Sequence, residues 1–202
     1  MSSFSIKNFL ERNVRYFRNK KDIRDKKCQI RADIRARKRQ LTDEEKAEAA
    51  KVVFERIETM NAFRKAKVVF LYWSTSSELP THEYIRKWSQ NKTILLPSVS
   101  GEKMHLRRFV SSKEMKKGDQ NIMEPTTDIF KGKFDLAIVP GVAFDRDRNR
   151  MGRGRGFYDR FLHSKNVTVY GVGFDFQVLR KLPVTTKDIK MTCVFSPSKT
   201  IE

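Results

Sequence analysis

Little in this 202-residue chain suits redox or metal-cluster chemistry. It contains two cysteines, Cys28 and Cys193, and three histidines. No Cys-x-x-Cys pair or Cys/His cluster occurs, so the spacing of a structural zinc site is missing. Both thiols are expected to be ordinary small residues in a reducing cytoplasm. No window approaches the roughly 18 apolar residues that a membrane span needs. The N-terminus has no continuous apolar run of the kind a secretory signal carries. There is no Gly-Lys-Ser/Thr closing a P-loop and no G-x-G-x-x-G dinucleotide fingerprint. His82, His105 and His163 stand outside every motif described below and are expected at the surface. Negative charge is also scarce: 24 Asp and Glu face 43 Lys and Arg, a formal net charge of +19.

That imbalance points to anionic partners, whether nucleic acid, nucleotides or polycarboxylate ligands. A nucleic-acid reading expects the basic residues gathered on one motif. Here they are spread through segments with core patterning, although the first fifty residues hold 15 Lys/Arg against 8 Asp/Glu. A hydrophobic content of 39% with 15 Phe is too apolar for a disordered chain. The length suits one domain, placed at 25–202, with 1–24 as a basic N-terminal extension. Phe4, Ile6, Phe9, Leu10, Val14 and Phe17 give the extension a loose amphipathic pattern. Such a pattern fits a targeting presequence, a surface-binding helix or a loosely docked arm; Glu11 and Asp22 count against a presequence.

Periodicity predicts strands alternating with helices. A helix is expected from Lys26 to about Gln40, with Lys27 and Arg31 one turn apart on one stripe. Thr42 and Glu45 form a capping-box signature for a second helix through Met60. Lys67–Trp73 reads as a buried strand, Ser74–Pro80 as its loop, and Thr81 as the cap of a helix reaching Trp88. Further strands are expected at 93–97, 104–110, 134–140, 167–173 and 191–195, with a helix starting at Phe157. This alternation specifies an α/β; a single three-layer α/β/α Rossmann-like domain with a mainly parallel sheet. Sites in such folds lie beyond the carboxyl ends of strands, which selects the loops after Trp73, Pro97, Pro140 and Gly173.

The loop after Pro140 carries the strongest signal. Arg150-Met151-Gly152-Arg153-Gly154-Arg155-Gly156-Phe157-Tyr158-Asp159 follows a hydrophobic strand and a polar turn. Glycines at that spacing let backbone N–H groups converge on an anion. Arg153 and Arg155 add forked cations suited to phosphate or carboxylate, and Asp159 is a carboxylate suited to Mg²⁺ beside a nucleotide. An RNA-binding Arg/Gly tract would be longer and repetitive. A glycine-rich surface loop of a basic protein would show the same residues.

These motifs, in this order, resemble the 5-formyltetrahydrofolate cyclo-ligase (methenyltetrahydrofolate synthetase) family over about residues 26–195. The resemblance rests on Lys27-Cys28-Gln29-Ile30-Arg31, Tyr72-Trp73-Ser74-Thr75-Ser76-Ser77-Glu78 with Thr81, and Leu96-Pro97. It continues through Ile122-Met123-Glu124-Pro125, the glycine loop with Tyr158-Asp159, Gln177, Leu182-Pro183 and Asp188. It implies an enzyme that uses ATP and Mg²⁺ to phosphorylate the formyl oxygen of 5-formyltetrahydrofolate. N10 then closes the ring, giving 5,10-methenyltetrahydrofolate, ADP and phosphate.

The resemblance also implies residue roles. Lys27, Arg31, Arg150, Gly152, Arg153, Gly154, Arg155, Gly156, Phe157 and Tyr158 would contact ATP. Arg31, Trp73, Glu78, Arg153, Gly154, Arg155, Gly156 and Phe157 would contact the folate, with Arg153 and Arg155 catalytic. Asp159 and Asp188 would hold the metal. Arg155 stands where the family often has lysine, Phe157 where tyrosine is common, Met151 for a usual leucine, and Thr192 where an acidic residue is frequent. The expected partner is a small-molecule folate, in some cases polyglutamylated, met by a cytoplasmic monomer that engages neither nucleic acid nor membrane.

Overall fold

Alternate residues of five short apolar runs point to opposite faces of one sheet, and this period of two organises the whole molecule. The computed structural model describes residues 20–202. The amphipathic pattern from Phe4 to Phe17 lies outside the described residues. The sheet contains β1 (Val68–Phe70), β2 (Thr93–Ser100), β3 (Lys103–Arg108), β6 (Leu136–Pro140), β9 (Thr168–Val172), β11 (Cys193–Ser196) and β12 (Lys199–Ile201). Its order is β12-β11-β9-β6-β1-β2-β3. The five inner strands are parallel, and β3 and β12 close the two edges antiparallel. The mainly parallel α/β architecture expected from the alternation is therefore the one observed.

Val69, Leu71, Ile94, Leu96, Leu136, Ile138 and Tyr170 face one layer, against Val53, Phe54 and Ile57 of a helix spanning Asp43–Thr59 and Ile85 and Trp88 of another spanning His82–Ser89. Phe70, Leu95, Ala137, Val139, Val169 and Val194 face the other layer, against Tyr158, Phe161 and Leu162 of the short helix Phe157–Leu162. In chain order the helices are α1 (Lys20–Lys38), α2 (Asp43–Thr59), α3 (Asn61–Lys65), α4 (His82–Ser89) and α5 (Phe157–Leu162). Burying each large apolar side chain in these layers contributes about 1.5–3 kcal/mol before its entropy cost. Among the described residues no helix is long and apolar enough to cross a membrane. Cys28 is exposed and Cys193 buried, both as free thiols.

The capping box at Thr42 forms as expected: Glu45 N donates to Thr42 Oγ1 at 3.2 Å, and Thr42 N donates to Glu45 Oε2 at 2.8 Å. Thr81 does not cap α4. Its backbone is already helical, and its hydroxyl donates to Tyr72 O at 2.8 Å and accepts from Ser74 N at 3.1 Å. The residue pins the loop that follows β1 instead of the helix it precedes. α1 begins at Lys20, ahead of the expected Lys26.

Two small sheets have no counterpart in the periodicity. β4 (Met115–Lys117) pairs with β5 (Met123–Pro125), and β7 (Ala143–Asp145) sits between β8 (Arg150–Met151) and β10 (Val178–Leu179). Strands of two or three residues are too short to display alternation. α1 packs its Ile30 over Ala143, Met151 and Leu182, so the basic helix lies on the small sheet that leads into the glycine loop.

Candidate active site

β1 is the turning point of the sheet: the chain leaves it toward β2, while β6 lies on its other side. Loops leaving adjacent strands in opposite directions open a crevice at their carboxyl ends. β1 stops at Phe70, with Leu71 N making a last bond to Leu95 O at 2.9 Å. Tyr72 and Trp73, expected inside the strand, therefore stand in the cleft wall. Pro97 lies two residues past that bond on β2, where its missing N–H leaves no gap in the ladder.

The cleft has a volume of about 810 Å³ and is lined by eight Lys/Arg against the three carboxylates Glu78, Glu124 and Asp159. One wall is α1, one the loop Tyr72–Glu78, one the stretch Pro97–Met104 with Ile122 and Glu124, and one the glycine loop. Of the residues expected at the site, Arg31, Trp73, Glu78, Arg150, Gly152, Arg153, Arg155, Gly156, Phe157, Tyr158 and Asp159 line this one cavity. Gly154 lies within the same loop, close against the Arg31 guanidinium.

The glycine loop is held from below. Asp145 is fully buried and accepts from Asp147 N, Asn149 N, Asn149 Nδ2 and Leu182 N, each at 2.9 Å, which fixes the polar turn. Gln177 Nε2 donates to Gly141 O at 2.7 Å and Val142 O at 2.9 Å, anchoring the exit from β6. Gly154 and Gly156 have φ of +112° and +67°, conformations that favour glycine. Among the described residues, the backbone N–H groups from Arg153 to Asp159 find no acceptor, so they remain available to an anion.

Arg150 differs from the other loop cations. It is 4% exposed, its Nε donates to Pro140 O at 2.8 Å, and its Nη1 lies 3.4 Å from Asp159 Oδ1. Burial lowers its pKa, which the Asp159 charge opposes. It forms a strut beneath Gly152, where a Cβ would lie 3.2 Å from its guanidinium. Arg155 remains on the surface over the Phe157 ring, 5.5 Å from its centroid. Arg153 Nη2 crosses the cleft to Glu78 Oε1 and Thr75 Oγ1, both at 2.9 Å. Glu78 Oε2 accepts from Thr75 N at 2.9 Å and Thr75 Oγ1 at 3.0 Å, so both Glu78 oxygens are engaged. Arg31 Nε donates to Gly152 O at 3.1 Å.

Lys27 and Asp188 come together, outside the cavity lining, as an ion pair at 2.7 Å. Burial alone would raise the Asp188 carboxyl, but Lys27 and the Thr185 donors outweigh it and hold it below the usual range. All of its hydrogen bonds fall on Oδ2, while those of Asp159 fall on Oδ1. Ile189 N, next to Asp188, reaches Asp159 Oδ1 at 3.4 Å. One oxygen of each carboxylate is thus uncommitted. No group of three or more His, Cys, Asp or Glu gathers as a metal cage among the described residues. Mg²⁺ commonly needs only one or two carboxylates, taking the rest of its shell from phosphate and water, and this donor set fits that pattern.

Several lining residues carried no expectation. Arg35 and Lys38 continue the Arg31 stripe along α1 at helical spacing, a signal that was readable. Burial pushes the Lys38 ammonium down to about 8, with Glu78 opposing and Arg153 adding to the shift. His82, expected at the surface, is half-buried, with its ring centroid 4.2 Å from that of Trp73. Burial lowers its pKa against a contribution from Ser74. His82 acts as a backing for the tryptophan.

The family model for the 5-formyltetrahydrofolate cyclo-ligase family matches residues 23–197. The chain is 33% identical over 181 residues to the 5-formyltetrahydrofolate cyclo-ligase of Escherichia coli (strain K12), covering 84% of this chain and 99% of that one. It is 30% identical over 177 residues to the enzyme of the same name from Haemophilus influenzae, covering 82% and 95%. The solved structure of Aquifex aeolicus 5,10-methenyltetrahydrofolate synthetase matches with a TM-score of 0.78 and 29% identity, over 86% of this chain and 91% of that one.

Proposed function

The chain belongs to the 5-formyltetrahydrofolate cyclo-ligase family, and on that premise we propose how its cleft carries out the family's nucleotide-dependent conversion of a folate. The described domain is read as the catalytic unit, 25–202, with the basic residues 1–24 appended. ATP is the nucleotide, and its phosphates lie along the glycine loop. The open N–H groups from Arg153 to Asp159, together with Arg31 and Arg155, neutralise them. Bound Mg²⁺ would be held by Asp159 and Asp188 and would offset charge on the phosphoryl oxygens.

The folate lies against Trp73 with its N5-formyl group toward Arg153. The formyl oxygen takes the γ-phosphoryl group and ADP leaves. N10 then attacks the formyl carbon and gives up its proton, and phosphate departs as the ring closes. Such a transfer needs positioning and charge neutralisation and no protein nucleophile. Arg153 and Arg155 supply the charge at the transferring group. Arg153 begins clasped to Glu78 and exchanges that partner for the substrate. A polyglutamate tail would meet the basic stripe of Arg35 and Lys38. The protein is read as a cytoplasmic monomer acting on small molecules, without nucleic-acid or membrane partners.

The observation that supports this reading is the convergence of Arg31, Trp73, Glu78 and the glycine loop on one cleft from segments far apart in the chain. The test is direct. Purified protein with 5-formyltetrahydrofolate, ATP and Mg²⁺ is expected to produce the near-ultraviolet absorbance of the methenyl product. Asp159→Asn is expected to raise the Mg²⁺ concentration needed for half-maximal rate. A flat trace from the folded wild type, or an unchanged Mg²⁺ dependence in the variant, overturns the corresponding part.

A further inference from the structure

The clasp between Arg153 and Glu78 has a third member, Thr75, which lines the cleft and is half-buried. Its hydroxyl donates to Glu78 Oε2 at 3.0 Å and accepts from Arg153 Nη2 at 2.9 Å. Its backbone N–H donates to the same Oε2 at 2.9 Å. Glu78 N returns a bond to Thr75 O at 3.1 Å, closing a tight turn over Ser76 and Ser77. A hydroxyl has one hydrogen. With that proton on Glu78, Thr75 Oγ1 meets Arg153, and Ser77 Oγ at 3.3 Å, as an acceptor.

The turn stands on a fixed base. Ser74 Oγ accepts from Thr81 N at 3.0 Å, and Thr81 Oγ1 accepts from Ser74 N at 3.1 Å. The buried Tyr72 hydroxyl donates to Leu79 O at 2.9 Å. Thr75 and Glu78 are therefore each one residue from an anchored position.

This arrangement divides the Glu78 carboxylate. Oε2 takes both donors of Thr75, from its own loop, whereas Oε1 is held by Arg153, from across the cleft. Arg153 in turn reaches the loop with one nitrogen, Nη2, which Thr75 and Glu78 share. Departure of the arginine toward the substrate bares Oε1 and leaves both bonds to Oε2 in place. Without them, the carboxylate would turn about its terminal torsion once the ion pair opened. Two donors on one oxygen remove that freedom, and a side chain ordered in advance spares the ligand the entropy cost of ordering it.

We propose that Thr75 is a positioning residue for the folate: its hydroxyl keeps Glu78 fixed by Oε2 after Arg153 has left, so that Oε1 is held ready to accept from the substrate. This rests on the folate reading above, with Glu78 as one of the folate's contacts, and adds the residue that orients that contact. Thr75 acts through Glu78 and not on the reacting atoms.

The test is steady-state kinetics of Thr75→Val and Thr75→Ser against wild type with 5-formyltetrahydrofolate, ATP and Mg²⁺. Valine keeps the shape and the backbone N–H and removes the hydroxyl; serine restores it. For T75V the folate KM is expected to rise about 5- to 20-fold, with kcat and the ATP KM changed less than about twofold. T75S is expected to return the folate KM to within about twofold of wild type. A double-mutant cycle with Glu78→Ala, read by the folate dissociation constant from calorimetry, needs no turnover. In that background T75V is expected to weaken binding less than about twofold further.

A wild-type folate KM in a folded T75V overturns the proposal. So does a loss falling on kcat or on the ATP KM, a T75S variant as impaired as T75V, or a full T75V effect in the E78A background. If T75V does not fold, Thr75→Ala carries the same test with the same outcomes. Failure of the wild type itself to convert the folate would instead refute the functional reading, and this assignment with it.

Discussion

Arg153 of the glycine loop donates to Glu78 of the β1 loop at 2.9 Å, closing a clasp between residues 75 apart in sequence. Half of the Arg153 side chain is exposed, whereas Glu78 is nearly enclosed. The clasp is thus a poised contact whose arginine can leave for a ligand at little structural cost. Arg153→Ala is expected to lower kcat about 100- to 1000-fold, as loss of a charge-stabilising donor does. Its stability should change by less than about 1 kcal/mol, or about 2–4 °C in melting midpoint. Kinetics and a thermal melt of the same preparation check both halves.

Gly154 gives a test of the loop backbone. A Cβ there would meet the Arg31 guanidinium, with Nη2 nearest at 3.6 Å, an ordinary contact, so space is not the constraint. The constraint is φ of +112°, which costs a side-chain-bearing residue about 1–3 kcal/mol. Gly154→Ala is expected to relax the loop and raise the ATP KM about tenfold. Titration of ATP at saturating folate measures it, and an unchanged ATP KM would show that the loop shape does not serve the nucleotide.

Lys38 links the cleft to pH. Its pKa is lowered to about 8, so its positive charge is present below that pH and is lost as pH rises through it. Capture of an anionic substrate should weaken in the same window. The expected outcome is a fall in kcat/KM for 5-formyltetrahydrofolate between about pH 7 and 9. Lys38→Arg, which stays charged there, should flatten that limb. A pH profile of both proteins decides the matter.

The Lys27–Asp188 pair predicts an acid-dependent stability. Asp188 has its pKa lowered in the folded protein, so its contribution is present above the unfolded value of about 3.9 and is lost as pH falls through the folded value. Lys27→Met removes the ammonium and leaves the Thr185 donors. The melting midpoint of the variant should lie below wild type near neutrality, and the gap should narrow as pH drops from about 5 toward about 2. Calorimetric melts across that range measure the gap.

Much of the frame was legible because its signals are local. The Thr42/Glu45 box follows from one residue's side chain bonding another three positions away. The strands at 93–97 and 134–140 and the glycine loop are patterns of a few adjacent residues. The stripe of Arg31, Arg35 and Lys38 was equally local and was read only as far as Arg31. Thr81 was misread because its hydroxyl takes partners from Tyr72 and Ser74, a choice set by the turn of the loop and not by the helix that follows. The burial of Glu124 had no local signal because it depends on β2 and Gly118, neither adjacent to it in the chain.

Residue type and short-range spacing are enough to set the alternation of strands and helices, the glycine-and-arginine pattern of residues 150–159 and the excess of positive charge. Tertiary structure alone decided the pairings: Arg153 with Glu78, Lys27 with Asp188, Arg150 as a buried strut, and Glu124 facing the cleft from an apolar wall. The physical reason is that a side chain's partners and its exposure to water are properties of the strand order and loop packing that surround it. Those bring together residues between which the chain carries no local signal.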